Sequence, residues 1–471
     1  MADLDIQELA DDAPREDGEQ LDQENRLKSQ FVASVVDALD DRDQARAYDL
    51  VEPLHPADIA DLLELLTSEQ RRALTVAITD LMTGDVIAEL NDYVREDMLE
   101  ALPASAVAEL AEQLDTDDAV QLIEDFEPAD QAAILAEMEP EDRAAIESAL
   151  SFPEESAGRL MQRELVAVPE HLTVGNLIDY LRDHDDLTTE FWEVFIVDAR
   201  HRPVGTCQLS WILRTPRQVA LADVMKRDQT LIPVTMDQEE VALRFQKYAL
   251  ISAAVVDETG RLVGQITVDD VVHIIQEEAG EDVMLLSGAG EGDINEPIRE
   301  AYAARVRWLI ANLVTASLAS FIISRFENVI AQLVTLAVLM PIVAGIGGNA
   351  GTQTLAVTVR ALATNQLTSS NTWRAVRREI KIALLNGASV AVVIAVVVSL
   401  LFGDYHLGMV IGLAMMANIL IAGIAGVLVP LTMERFGADP AIASSIFVTM
   451  TTDSMGFLVF LSLAVATGLV G

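Results

Sequence analysis

The sequence predicts a multi-domain chain: an α-superhelical N-terminal domain, an α/β pair of repeated modules, and an all-α membrane domain with five transmembrane helices. Three observations lead there. The chain of 471 residues carries a formal net charge of −44 although half of it is apolar. That charge is unevenly placed: residues 301–471 hold nine Lys/Arg and six Asp/Glu, while residues 1–300 hold 22 basic and 69 acidic residues, a net −47. A short helical phrase recurs through the first third, and five long apolar segments fill the last. A very acidic soluble half therefore precedes a nearly neutral hydrophobic half.

Residues 1–29, opening "MADLDIQELADDAPREDGEQLDQEN", are acidic and lack an apolar core. They read as a disordered tail rather than a signal peptide. Over 30–155, "HPADIADLLELLTSEQ", "LPASAVAELAEQLD", "DTDDAVQLIEDFEPAD" and "EPEDRAAIESALSFPEE" each open on a Pro, Asp, Ser or Thr cap and run into apolar residues. Ile59, Leu62, Leu63 and Leu66 fall at i, i+3, i+4 and i+7, one helical face. Recurrence every twelve or so residues predicts stacked short helices. Over 156–275, "FWEVFIVDARHRPVGTCQLS" and "ISAAVVDETGRLVGQITVDDVVHII" share a layout: a β-branched run, a polar turn, a Gly, a second strand and a helix start. The doubled layout resembles a tandem pair of CBS modules. In that resemblance Thr267 and Asp270 of "GQITVDDVV" occupy positions that hold a nucleotide's ribose, which makes ATP a candidate ligand. The alternative is that both residues cap a helix. Residues 276–304 form an acidic, glycine-containing connector that becomes helical as it enters the membrane domain, 305–471.

The apolar segments lie at about 308–324, 328–358, 382–402, 408–432 and 441–470. Four reach the ~20 residues of a spanning helix, and the first does so by extending through Arg307. The second and fifth are long enough to be tilted or broken. With the soluble half in the cytoplasm, Arg305, Arg307, Arg360, Arg374, Arg377, Arg378, Lys381 and Arg435 face inward and only Arg325 faces out. The positive-inside rule then gives a cytoplasmic N-terminal half and an exterior C-terminus, in a multi-pass protein of the cell (inner) membrane. The second segment contains "PIVAGIGGNAGTQTLAVTVRALA", where Asn349, Thr352 and Gln353 do not suit a lipid-facing helix. Helix–helix packing explains the glycines, and a pore wall explains Asn349 and Gln353. The fifth segment, "FVTMTTDSMGF", places Asp453 among Thr449, Thr451, Thr452 and Ser454. It is a carboxylate well inside a span with no Lys or Arg at its depth, a pattern that marks an ion path, with burial as neutral aspartic acid as the alternative.

Other function classes fit poorly. The acidic half repels nucleic acid, and no basic patch with interleaved aromatics occurs. The one cysteine, Cys207, forms no intramolecular disulfide. No nucleophile–base arrangement, phosphate loop or zinc-ligand spacing stands out, so an enzyme is not expected.

The full order of motifs resembles the MgtE magnesium channels and transporters: "HPADIADLLELL" and "LDTDDAVQLIEDF", "SFPEESAGRLMQRELVAVPEHLTV", the paired CBS modules, "ARVRWL", "GIGGNAGTQ" with "VRALAT", and "DPAIASSIFVTMTTDSMGF". The resemblance covers nearly all of the chain after the acidic tail. It implies a homodimer with a Mg2+ pore on its axis, in which Asp453 from each subunit meets the ion and Asn349, Thr449 and Thr452 contribute to the wall. It implies a connecting "plug" helix over 276–304. It also implies a cytoplasmic Mg2+ sensor in which Asp117, Asp270, Glu278, Glu281, Asp282 and Asp439 take regulatory cations that hold the pore shut. Two departures stand out: Ala249 and His273 replace acids that the family often places between its CBS modules. A pore that also passes manganese, cobalt or nickel, and a membrane-anchored cation or nucleotide sensor that transports nothing, are the competing readings.

Overall fold

The computed structural model describes residues 20–99, 102–124, 126–184, 187, 191–288, 295–368, 370–442 and 444–470. Most of the acidic tail therefore lies outside the described residues. The chain divides into two units, Met1–Ile275 and Gln276–Gly471.

The first unit opens with ten short helices among the described residues, from α1 (Ser29–Asp40) to α10 (Pro140–Leu150). Several open on a capping residue or a proline. Thr67 closes a full capping box with Gln70, and Pro56, Pro128 and Pro140 each open a helix at its first turn. In α3 (Pro56–Leu65) the predicted stripe is buried: Ile59, Leu62 and Leu63, with Leu66 just beyond, all lie in one continuous apolar core with Val35, Leu74, Val94 and Ile123. Arg71 is buried against the C-terminal end of α3, donating to the Leu63 and Leu66 carbonyls and pairing with Asp97 at 2.8 Å.

Two three-stranded sheets follow with the same topology. β1 (Ala167–Pro169) runs parallel to β2 (Glu193–Val197), which pairs antiparallel with β3 (Pro203–Gln208). β4 (Leu231–Pro233), β5 (Ser252–Val256) and β6 (Leu262–Thr267) repeat that pattern, each with one register shift near the end of the middle strand. Helices α11 (Val174–Asp183), α12 (Leu209–Arg214) and α13 (Leu221–Val224) belong to the first module and α14 (Gln238–Tyr248) to the second. The modules dock through Phe195 and Val197 of one and Ala254 and Leu262 of the other. The chain entering the pair is shared, because Ala157 and Met161 are buried in the second module's core before β1 begins the first. Helix α15 (Val268–Ser287) starts on β6 and runs past the division at Ile275 into the connector. The connector thus begins as an extension of the second module's own helix.

In the second unit, α16 (Ile298–Ser324), α18 (Thr335–Ala363), α19 (Thr372–Phe402), α20 (Tyr405–Arg435) and α21 (Ser444–Ala466) are each long and apolar enough to span a bilayer. The second apolar segment is broken, but ahead of its glycines: a short α17 (Glu327–Gln332) precedes α18, and α18 then continues through Pro341 and the whole Gly-rich stretch. The third helix starts ten residues before the predicted segment, which brings Glu379 into a span. Helix α20 is the most enclosed of the five and packs against α18, α19 and α21.

Glycine sets the closeness of that packing. A Cβ on Gly351 would lie 2.6 Å from Val448 Cγ1 of α21, and one on Gly426 would lie 2.8 Å from the Gly351 carbonyl. A Gly351→Leu substitution forces α18 away from both neighbours. Overpacking of this kind costs about 1–3 kcal/mol. Thermal unfolding of the detergent-purified protein should show a lowered midpoint, whereas Gly345→Leu, where no atom lies within 4 Å, should leave it nearly unchanged.

Candidate functional site

The membrane site is built on α18 and α21. Thr449 and Asp453 are one helical turn apart on α21 and half-buried, while Thr452 is fully buried and donates its hydroxyl to the Thr449 carbonyl at 3.0 Å. Thr452 packs toward Gly351, its methyl carbon 3.4 Å from where a Cβ there would stand. Asn349 is exposed on the face of α18 away from the core. No ion pair reaches Asp453 among the described residues.

Asn418 on α20 completes the arrangement. It is completely buried, donates Nδ2–H to the Val343 carbonyl at 2.9 Å, and fills the space left by Gly347 on α18 and Gly456 on α21. These contacts fix a relative height. Val448 and Thr452 meet Gly351, and Asn418 bridges Gly347 and Gly456, so α18 and α21 run antiparallel. Position 349 is then level with position 453. Asn418 Oδ1 in that seam and Ser454 Oγ elsewhere on α21 are both buried without a hydrogen-bond partner among the described residues. Asn418 was within reach of sequence reasoning. It is an amide alone in the apolar run "LAMMANILIAGIAG", and the criterion that singled out Asn349 applies to it equally.

The soluble site lies within the first unit. Helix α8 (Thr116–Glu124) presents Asp117 and Asp118 from its first turn, and α15 presents Asp270 from its own. The Asp117 and Asp270 carboxyl groups are within hydrogen-bonding reach of each other. Asp117 Oδ1 is buried with no partner. Burial, then the charge of Asp270, raises the Asp117 carboxyl well above the usual carboxylate range. Burial, then Asp270 and Asp115, pushes Asp118 up to about 6, against a smaller opposing effect of Arg95. Burial likewise raises Asp270, partly offset by the Thr267 hydroxyl, which donates to it at 2.7 Å. Thr267 and Asp270 thus engage each other at the helix start, the capping geometry.

The remaining sensor candidates fall in the second unit. Glu278 and Glu281 share a face of α15, at i and i+3, with Asp282 at i+4 on the same helix. Asp439 is exposed and accepts the Ala441 N–H at 2.6 Å in the turn before α21. His273 is exposed on α15, and Ala249 ends α14 in a left-handed conformation, φ 49°. Among the described residues no three His, Cys, Asp or Glu side chains converge into one metal cage. The acidic groups that do meet, Asp117 and Asp270, suit a cation that keeps its water and uses few protein ligands.

Three family models match: the MgtE intracellular N domain over residues 54–155, the CBS domain over 221–277, and the MgtE divalent cation transporter over 340–463. A magnesium transporter MgtE of Enterococcus faecalis is 32% identical over 315 residues, covering 67% of this chain and 70% of that one. The chain belongs to the MgtE family. Its relative from Thermus thermophilus is 32% identical over 324 residues, with 68% and 71% of the two chains covered. A crystal structure of the cytosolic domain of the Mg2+ channel MgtE in complex with ATP matches at 29% identity and a TM-score of 0.47, covering 52% of this chain and 99% of that one.

In this MgtE chain the raised carboxyls have a stability consequence. A carboxyl whose folded pKa exceeds its unfolded value binds protons more tightly when folded, so stability is lost as pH rises through that interval. For Asp118 the interval runs from near pH 4 to about 6, and Asp117 is raised in the same direction. Between those limits the wild type should lose on the order of 2–3 kcal/mol from these groups. Thermal midpoints across pH 4–7.5 should fall more steeply for the wild type than for Asp117→Asn.

Proposed function

We propose that this chain conducts Mg2+ across the cell membrane as a homodimer, with the ion held at Asp453, and that cytoplasmic Mg2+ regulates it through the acidic soluble half. The observation that carries the pore reading is the height match of Asn349 and Asp453 across a seam held close by glycine. A carboxylate without a basic partner and a carboxamide on an exposed face stand at one level of a helical membrane domain. Two copies of that level would supply two carboxylates and two amides to a hydrated divalent ion, with Thr449 and Thr452 beside them. That the relatives are named magnesium transporters supports magnesium as the cargo.

The orientation places α18's C-terminal end, α19's N-terminal end and the soluble half in the cytoplasm, where their arginines belong. Regulation follows from the Asp117–Asp270 meeting. With no cation the pair repels or must take up a proton, and a Mg2+ ion relieves the repulsion without acidification. Glu278, Glu281, Asp282 and Asp439 would extend the same chemistry along the connecting helix to the turn before α21. ATP could use Thr267 and Asp270 only after their mutual hydrogen bond is given up, so cation and nucleotide would compete for Asp270.

Two measurements test these readings. Uptake of Mg2+ into cells lacking other magnesium transport should fall roughly tenfold or more in Asp453→Asn, the factor that ~1.4 kcal/mol of lost ion stabilisation gives. Wild-type uptake by an inserted Asp453→Asn protein would sink the pore assignment. Millimolar Mg2+ at pH 7.5 should slow proteolysis of the wild-type soluble half, and Asp117→Asn/Asp270→Asn should lose part of that protection. Equal cleavage with and without Mg2+ in the wild type would remove the sensor reading while leaving the pore untouched.

A further inference from the structure

The seam between α16 and α21 holds polar groups that the ion site above does not use. Among the described residues α16 packs against α21 and against no other helix to a comparable extent. Its inward stripe, Trp308, Asn312, Thr315, Ala319 and Ile322, is buried or half-buried and alternates four and three residues apart. Leu309, Leu313, Val314 and Phe321 on its other faces are exposed and suit lipid. Met450, Ser454, Phe457, Leu461 and Ala464 of α21 repeat that spacing and that burial. Such matched spacing is that of two helices packed along one seam. Thr452 and Gly456 face α18 and α20. Ser454 is two residues from each, about 160° around the helix, so α16 is what buries it.

Two anchors set the height of Asn312. Trp308 lies against Gly288, which follows Leu285 and Leu286, and those leucines pack with Ala441 and Val448. At the other end Ile323 packs into the cluster that holds Phe460, Leu461 and Ala464. The two helices therefore run parallel, and Asn312 stands within about one turn of Asp453 and Ser454. Asp453 itself projects between the two faces of α21, about 100° from Thr452 and from Ser454.

An apolar seam gives these side chains nothing to bond. Ser454 is 7% exposed and its Oγ has no hydrogen-bond partner, whereas Ser389 and Thr451 each donate to the carbonyl one turn earlier. The Asn312 carboxamide likewise makes no hydrogen bond among the described residues. Only its main-chain carbonyl is engaged, by the Thr315 hydroxyl at 2.8 Å. Groups of this kind inside a membrane need each other or the water of a filled path. We propose that Asn312 is a specificity-determining residue of the ion path, its carboxamide and the Ser454 hydroxyl engaging the retained water of an ion held at Asp453. This role rests on the reading that Asp453 meets the ion. Mg2+ gives up its water reluctantly. Neutral groups that bind the hydration shell therefore favour it over Mn2+, which exchanges its water more readily.

The test measures Mg2+ uptake by the full chain in cells lacking other magnesium transport, with Mn2+ as competitor. Asn312→Leu should slow Mg2+ uptake roughly fivefold, the factor of one hydrogen bond, and shift the preference toward Mn2+. Ser454→Ala should shift it the same way by less. The thermal midpoint of purified Asn312→Leu should stay unchanged or rise, since leucine suits the seam. In liposomes, Asn312→Cys should react with a cationic, water-soluble methanethiosulfonate and Leu313→Cys should not. The native Cys207 does not confuse that readout, since it is buried and burial pushes its thiol up to about 11. An unchanged preference in Asn312→Leu, or a lowered midpoint with no reaction at Asn312→Cys, would overturn the proposal and leave Asn312 as a contact that only joins α16 to α21. Wild-type uptake by Asp453→Asn would overturn the pore reading and this role with it. Lost uptake in Asp453→Asn beside an unchanged preference in Asn312→Leu would overturn this role alone.

Discussion

Carboxylates held without a basic partner in places that disfavour charge are the constraint on which both halves of this protein depend. Moving a carboxylate out of water costs several kcal/mol unless a counter-charge or a proton accompanies it. Asp453 sits in a helix whose neighbours for a turn in either direction are hydroxyls and apolar groups. Asp117 is buried against Asp270 with one oxygen unpaired. In each case the partner we propose is a cation. The membrane site would release its ion as flux, and the soluble site would hold its ion as a signal of concentration.

The surrounding fold keeps those carboxylates in place. In the membrane domain, Gly347, Gly351 and Gly426 let backbones approach until Asn418 and Thr452 fill the seam, which fixes the height at which Asp453 stands. No hydrophobic drive separates helix from lipid there, so close van der Waals packing and a few buried polar contacts determine the geometry. In the soluble unit, ten short helices and two docked modules bring the first turn of α8 to the first turn of α15. The residues concerned are 153 positions apart in sequence, with α8 packed in the helical domain's apolar core and α15 in the second module's.

Much of this was legible in the sequence because it is periodic or punctuated. The stripe Ile59–Leu62–Leu63–Leu66 is local, the strand–turn–Gly–strand layout repeats, and an aspartate in a greasy run is visible without any partner. Helix bounds were less legible. Arginines at the start of α19 mask its first two turns from a hydropathy reading, and with them Glu379, whose burial depends on the neighbouring α18 and α20. The second segment's length allowed a tilt or a break without placing one; the break falls ahead of α18, and the glycines serve close approach in the packed bundle while the helix continues through them. Asn418 carries no local motif of its own, and its role depends on a partner 75 residues away, the Val343 carbonyl in the Gly-rich segment. Thr267 and Asp270 could not be decided from sequence, since a ribose site and a helix cap ask for the same residue types.

The central claim is that a divalent ion sits at the height shared by Asn349 and Asp453. Anomalous scattering from crystals of the full chain soaked in Mn2+, used as a Mg2+ substitute, measures that directly. The account predicts a peak on the membrane-domain axis of a two-fold dimer, level with Asp453, and a second peak between Asp117 and Asp270. A membrane domain with no peak at the Asp453 level, in crystals whose soluble site is filled, would contradict it.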